Sequence, residues 1–128
     1  MTNMTAYLQE RLINHVLRNL PYPTPKALYL ALFAQSTQDK AEITEVYGLG
    51  YKRQPLRLSA PINGVVDNPD EIYFGIAEAY WGKVLALGIF DALLKGNLLL
   101  LADMEHPQTV EEGSPFKVPR GEITISLV

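Results

Sequence analysis

Three polar residues that follow an apolar run are the candidates for chemistry in this chain. Asp103, Glu105 and His106 are close in sequence, so their side chains could hold a cation or polarise a water molecule. The one other histidine is His15, and neither histidine stands in a His-Glu-x-x-His motif. A charged loop after an apolar strand explains the same residues more simply, so we interpret both histidines as solvated or hydrogen-bonded.

Other patterns typical of enzymes do not occur in the sequence. Ser36, Ser59, Ser114 and Ser126 stand in no Gly-x-Ser-x-Gly motif, the turn that exposes a hydrolase nucleophile. Gly48-Leu49-Gly50 lacks the third glycine of a dinucleotide-binding motif and the Lys-Ser or Lys-Thr ending of a phosphate-binding loop. The sequence therefore predicts no enzymatic activity, no cofactor and no metal site.

A local basic cluster is formed by Lys52, Arg53 and Arg57, next to Tyr47 and Tyr51. Basic and aromatic residues interleaved in this way can grip single-stranded nucleic acid. However, 11 basic and 14 acidic residues give a formal charge of −3, which on average repels a phosphate backbone. We therefore predict no direct nucleic-acid binding, and interpret the cluster as an exposed strand edge or an ion-pair strip facing an acidic neighbour.

Length and composition predict a small protein with one core. A chain of 128 residues fits one domain. Nine prolines, nine glycines and 48% hydrophobic residues indicate short strands, tight turns and some apolar surface for partners. The chain has no cysteine, which excludes disulfides and thiolate metal sites. Residues 1–5 lack a signal-peptide pattern and no apolar run approaches roughly 18 residues, so we expect a soluble protein with no membrane partner.

Residues 1–20 are predicted to form an N-terminal helix or arm. From residue 2 to residue 20 the pattern is that of one amphipathic helix, which Thr2 or Thr5 can cap and Pro21 ends. Its apolar stripe recurs every four residues at Met4, Leu8, Leu12 and Val16. Residues 21–26 form a stiff Pro-rich connector. The stripe can cover the protein's own β-core or dock on another subunit, and the sequence leaves both open.

Residues 27–128 are predicted to form a single β-rich domain. The candidate strands are residues 27–33, 52–58, 71–76, 83–90, 98–104, 115–118 and 122–127. Turns are indicated at 61–64 and 67–70, hairpin loops at 91–97 and 111–114, and an exposed loop at 35–45. The core candidates are Tyr29, Phe33, Trp81, Phe90 and Leu98. The predicted fold is mainly β, a β-sandwich or partly open barrel, with an N-terminal amphipathic α-helix.

An ordered series of short blocks resembles a family of small phage structural proteins. The blocks are residues 27–33, 45–54, 79–84, 87–92, 96–99 and 121–125. Members of this family are often described as tail-fibre proteins, and some relatives as capsid cement (decoration) proteins. The family pattern contains no catalytic motif. The resemblance therefore implies a structural component of the virion, assembled in the cytoplasm of the bacterial host.

Among virion roles the sequence favours a capsid cement protein. A fibre usually needs length or repeated shaft segments, which this chain lacks, whereas a compact domain with a protruding helix suits a clamp on a shell. The predicted partners are copies of itself, as a homotrimer, and the major capsid protein or other virion proteins. A tail fibre or baseplate subunit is the close alternative. A receptor- or glycan-binding module and a hydrolase are alternatives from other classes.

Ten residues are predicted to contact partners. A receptor-binding module would line a groove with Tyr22, Tyr47 or Tyr51. In the loop at 91–96, Leu93-Leu94-Lys95 replaces the smaller polar residues of the family pattern, which predicts an apolar contact with this protein's partner. The full set of interface candidates is Met4, Leu8, Leu12, Val16, Tyr22, Tyr47, Tyr51, Arg53, Leu93 and Leu94.

Overall fold

Short antiparallel strands dominate the fold. A computed structural model describes residues 2–35 and 42–126 of the chain. In chain order its elements are β1 (Thr2–Met4), α1 (Ala6–Leu17), β2 (Leu28–Gln35), β3 (Ile43–Glu45), β4 (Gln54–Leu56), β5 (Val65–Asp67), β6 (Ile72–Ile76), β7 (Gly82–Phe90), β8 (Leu98–Val110), β9 (Pro115–Val118) and β10 (Thr124–Ser126). The prediction of a mainly β fold with a helix near the N-terminus is confirmed.

The main sheet is built around β7, which pairs with β2 on one side and β8 on the other. Its strand order is β1-β8-β7-β2-β3, and β4 pairs with β2 beside β3. Leu30, Ala31 and Leu32 of β2 are fully buried, so this strand is covered on both faces, as a continuous apolar run predicts. Ala31 pairs with Gly88 of β7, which in turn pairs with Leu101 of β8.

Two small sheets, β5–β10 and β6–β9, complete the core. Alternate residues of β6 and β9, such as Phe74 and Phe116, are buried, as expected for strands with one face in the core and one in solvent. Ile123 and Ile125 reach the main sheet beside Leu87. The buried cluster therefore lies between the main sheet and these two short strand pairs.

The N-terminal helix is shorter than predicted. Residues 2–4 form β1, which pairs with residues 100–102 of β8, so the prediction of a helix from residue 2 is wrong at this end. Thr5 anchors the junction, because its backbone N–H donates to the Leu99 carbonyl at 2.9 Å and its hydroxyl donates to the Leu98 carbonyl at 2.7 Å. Within the described residues, no helix has the length and apolar content needed to cross a lipid bilayer.

The helix also ends before Pro21. Asn19 adopts a left-handed conformation with φ of 56°, and the Leu20 N–H donates to the Asn14 carbonyl at 2.9 Å. A left-handed residue cannot continue a right-handed helix, and asparagine tolerates this conformation better than most residues. Pro21 therefore follows a helix that the local hydrogen bonds have already ended.

The predicted turns are mostly confirmed. Asn63 and Gly64 both have positive φ, at 52° and 77°, and lie between two reciprocal hydrogen bonds that join Ile62 and Val65. This geometry is that of a tight two-residue hairpin, which Asn-Gly favours. The hairpin loop at 91–97 joins β7 to β8 as predicted.

Two loop predictions need correction. Residues 111–114 form a turn, with the Ser114 N–H donating to the Glu111 carbonyl at 3.0 Å, but the strands on either side belong to different sheets. The hairpin prediction there is wrong, because the chain crosses from one layer to the other. Of the loop predicted at 35–45, residues 36–41 lie outside the described residues and Ile43–Glu45 form β3.

Candidate interaction surfaces

A buried ion pair fixes one end of the main sheet. The Arg53 side chain is 8% exposed, and its Nε and Nη2 donate to the two carboxylate oxygens of Glu45, each at 2.8 Å. Its guanidinium also lies over the Phe90 ring, 3.5 Å from the centroid. A two-pronged pair of this kind, stacked on an aromatic face, uses the geometry that distinguishes arginine from lysine. Arg53 therefore packs inside the subunit, whereas the sequence predicted it on an interaction surface.

Tyr51 completes this ion pair from the core side. Its hydroxyl donates to Glu45 at 2.7 Å and accepts from the Leu32 N–H at 3.1 Å, while its ring packs edge-on against Trp81. Burial and the bond to Glu45 raise the pKa of Tyr51. Burial alone would raise the pKa of Glu45, but hydrogen bonds from Arg53 and Tyr51 outweigh it and lower that pKa. Tyr51 is thus partly buried against the core, and its hydroxyl is satisfied within the subunit.

The same arginine holds the loop between β7 and β8. Arg53 Nη1 donates to the carbonyls of Ala92 at 2.9 Å and Lys95 at 2.7 Å. Asp91 Oδ1 accepts from the Asn97 N–H at 2.7 Å, which closes the loop on itself. These bonds present the two leucines of the loop, Leu93 and Leu94, to solvent from a fixed backbone.

A second apolar surface lies on the glycine turn before Tyr51. Trp81 Nε1 donates to the Leu49 carbonyl at 2.9 Å, and a Cβ at Gly48 would lie only 2.7 Å from Trp81 Cδ1, so glycine permits the close packing of turn and indole. The buried tryptophan thereby positions Tyr47, Leu49 and Tyr80, which are all exposed.

The apolar stripe of α1 divides into two halves. Leu8 is buried and Leu12 partly buried against the β-core, whereas Val16 and Leu17 are 70% and 76% exposed. Exposure begins at Ile13 and continues to Leu20. The helix therefore packs on its own subunit through its first half and leaves its second half exposed.

A cleft of about 1210 Å³ opens between the second half of β8 and the segment that carries β9 and β10. Four residues, 104–107, lie opposite Leu85 alone in the β7–β8 register, so this part of β8 bulges out of the sheet. Asp103, Glu105 and His106 line the cleft together. Among the described residues, no three His, Cys, Asp or Glu side chains are placed to share a metal ion.

The sequence candidates thus fall into three groups. The exposed candidates are Val16, Tyr47, Leu93 and Leu94. The partly buried candidates are Met4, Leu12, Tyr22 and Tyr51, and the buried ones are Leu8 and Arg53. Of the core candidates, Trp81 and Phe90 are buried, and Tyr29, Phe33 and Leu98 are partly buried. Tyr22 lies beside His15, with ring centroids 6.4 Å apart, and Tyr51 points into the core, so the three tyrosines do not line one groove.

The interface candidates predicted from the sequence included neither the cleft nor most of the large apolar residues that are exposed. Leu49 and Tyr80 flank residues that were selected, and Ile13 and Leu17 widen the helix stripe on the side away from Leu8. Their exposure depends on where the sheet ends, which periodicity does not encode. The acidic residues near His106 were the available signal for the cleft.

A known protein family matches nearly the whole chain. The model of the family described as Podophage GP4 fiber I protein gp80 matches residues 3–126. No curated protein matches the chain.

Proposed function

We propose that this chain, which belongs to the podophage GP4 fiber I protein gp80 family, is a structural subunit of a phage fibre. The family match over residues 3–126 is the observation that carries this proposal, since it includes both the β-core and the helix. The subunit works by packing against copies of itself and against neighbouring virion proteins. It needs no cofactor, nucleic acid or membrane for this role.

The surface of the described subunit supports a packing role. Large apolar side chains are exposed at several sites, among them the second half of α1, the Leu93-Leu94 loop and the Tyr47 turn. Two of them are held by buried anchors, Arg53 and Trp81, so their shape is fixed before any partner binds. Contiguous apolar surface on a rigid scaffold is typical of interaction sites.

The fibre role replaces the capsid cement role as the main proposal. The cement prediction rested on the absence of shaft repeats, which describes one subunit and not the assembly it joins. A short subunit can extend a fibre by stacking with other proteins, and the family description names a fibre protein. We retain the homotrimer as part of the proposal, because closed symmetric assemblies are the rule among oligomers.

Copy number in purified particles tests this function. Quantitative mass spectrometry against the major capsid protein should give a few copies to a few tens per particle. About one copy per capsid subunit would return the protein to the capsid shell, and absence from particles would refute a virion role. Gold-labelled antibody against the subunit should decorate the tail end in electron micrographs, whereas label over the head would contradict the fibre assignment.

A further inference from the structure

The Asn63-Gly64 hairpin places an amide side chain next to a backbone nitrogen that can attack it. The nitrogen of the following residue reaches the side-chain carbon of an asparagine most easily when that residue has no side chain to block the approach. Asn63 alone among the six asparagines of the chain precedes a glycine. A Cβ built on Gly64 would meet no atom within 4 Å, so the space around this nitrogen is open.

Both reacting groups are free in the folded subunit. Asn63 and Gly64 are exposed, and within the described residues no hydrogen bond engages the Asn63 side chain or the Gly64 N–H. The bonds that close the turn are made by Ile62 and Val65, at 2.9 and 3.0 Å. In a two-residue hairpin of this type the central N–H groups take no part in the strand pairing. The carboxamide and the nucleophile therefore lie side by side in water.

The other asparagines lack this combination. Each of them precedes a residue with a side chain; they are Asn3, Asn14, Asn19, Asn68 and Asn97. Asn68 is 1% exposed and is followed by Pro69, which has no N–H to attack with. The Asn97 side chain donates to Asp91 at 3.0 Å. The chain therefore has one site suited to this reaction and five internal comparisons.

We propose that Asn63 is a site of spontaneous deamidation, through which the hairpin modifies itself without an enzyme. The Gly64 nitrogen loses its proton to hydroxide and forms a bond to Asn63 Cγ. The bond from Cγ to the side-chain nitrogen breaks, and that nitrogen takes a proton from water and leaves as ammonia. The cyclic imide that remains is opened by water at either of its carbonyls, which gives aspartate or isoaspartate. The sum is one water consumed and one ammonia released.

The turn itself controls how fast the ring can close. Asn63 has φ of 52°, and attack requires rotation about its Cα–C bond, which the paired bonds of Ile62 and Val65 resist. Local opening of this exposed turn therefore precedes the reaction. We expect the folded protein to react more slowly than a free peptide of the same sequence.

The two products affect the fold differently. Aspartate keeps the turn, because Asp-Gly also favours a two-residue hairpin. Isoaspartate adds a carbon atom to the main chain, so the turn no longer matches the strands that it joins. Val65 and Val66 follow directly and pair with Ser126 and Ile125 of β10. Isoaspartate therefore weakens the β5–β10 pair, and because a finished virion does not replace its subunits, the product accumulates with particle age.

Peptide mapping by mass spectrometry tests the site. The purified full-length protein is incubated in mildly alkaline buffer, and the conversion of each asparagine is followed with time. Asn19 and Asn97 are the matched comparisons, since both are exposed and both precede a leucine. Asn63 should convert at least about ten-fold faster than either, and faster as pH rises, because the attacking nitrogen must lose its proton. Comparable rates at the three positions would overturn the proposal.

Two variants test the chemistry and its consequence. Asn63→Gly keeps a sequence that favours the turn but has no carboxamide, so the acidic form that ion exchange separates from aged parent protein should not appear. The same acidic form at an unchanged rate would place the reaction elsewhere and refute the site. Asn63→Asp should unfold at the urea concentration of the parent, whereas the isoaspartate fraction should unfold at a lower one. An isoaspartate fraction as stable as Asn63→Asp would refute the weakening of the β5–β10 pair.

Discussion

Neutralising Glu45 is predicted to destabilise the subunit more than any surface charge would. Its carboxylate accepts from Arg53 twice and from Tyr51 once, at 2.7 to 2.8 Å. In Glu45→Gln the amide NH₂ faces donors of Arg53, which leaves the buried guanidinium without its counter-charge. Breaking a buried pair costs about 3–5 kcal/mol. Because the Glu45 side chain is 25% exposed and water can partly replace it, we expect a loss of about 3 kcal/mol in the free energy of unfolding.

The exposed pair between Arg57 and Asp70 provides the matched control. These side chains are 74% and 62% exposed, so Asp70→Asn should cost less than about 1 kcal/mol. Urea unfolding at one protein concentration, followed by the fluorescence of the single tryptophan, Trp81, gives both values. Trp81 packs against Tyr51 and therefore reports on the region of the pair. Similar losses in the two variants would refute the buried-pair reasoning.

Three further predictions concern the same scaffold. Glu45 has a folded pKa below its ordinary value of 4.5, so its pair stabilises the protein fully above about pH 4.5 and is lost as pH falls through the folded pKa. Urea unfolding between about pH 3 and 6 should show this slope in the parent protein and a flatter one in Glu45→Gln. Gly48→Ala places a Cβ against Trp81 and should cost about 1–3 kcal/mol in thermal unfolding, with a shift in tryptophan fluorescence; unchanged values would contradict the close packing. Asn19→Ala should cost about 1 kcal/mol in urea unfolding while Asn19→Gly costs nothing, and equal losses would mean that the left-handed φ is not what ends the helix.

Long apolar runs made the central strands predictable. The runs at 27–33 and 83–90 correspond to Leu28–Gln35 and Gly82–Phe90, because a buried strand needs apolar residues on both faces wherever it lies. The end of β8 was not predictable in this way. The predicted strand at 98–104 continues to Val110 through polar, exposed residues: 104–107 bulge out of the sheet, and 108–110 pair with β7 again. Pairing with β7 keeps residues 108–110 extended, and their own sequence does not predict a strand.

The role of Arg53 shows why the polar cluster was misread. Locally it stands with Lys52 and Arg57 as a basic patch, and those two neighbours are indeed exposed. Its burial depends on Glu45, eight residues earlier, and on the Phe90 ring and Ala92 carbonyl, which are far away in sequence. Tertiary contacts bury only Arg53 of these three basic residues, and the pattern of charges along the sequence does not reveal which one.

The apolar helix stripe has a buried first half and an exposed second half, which periodicity alone does not distinguish. Leu8 and Val16 belong to the same four-residue spacing but lie about 80° apart around the helix axis, and Leu8 is buried whereas Val16 is exposed. The difference follows from Thr5, whose bonds to the carbonyls of Leu98 and Leu99 fix the start of the helix on β8 and let the rest of it project. Substitution in the first half of the stripe should therefore act on folding, and substitution in the second half on association.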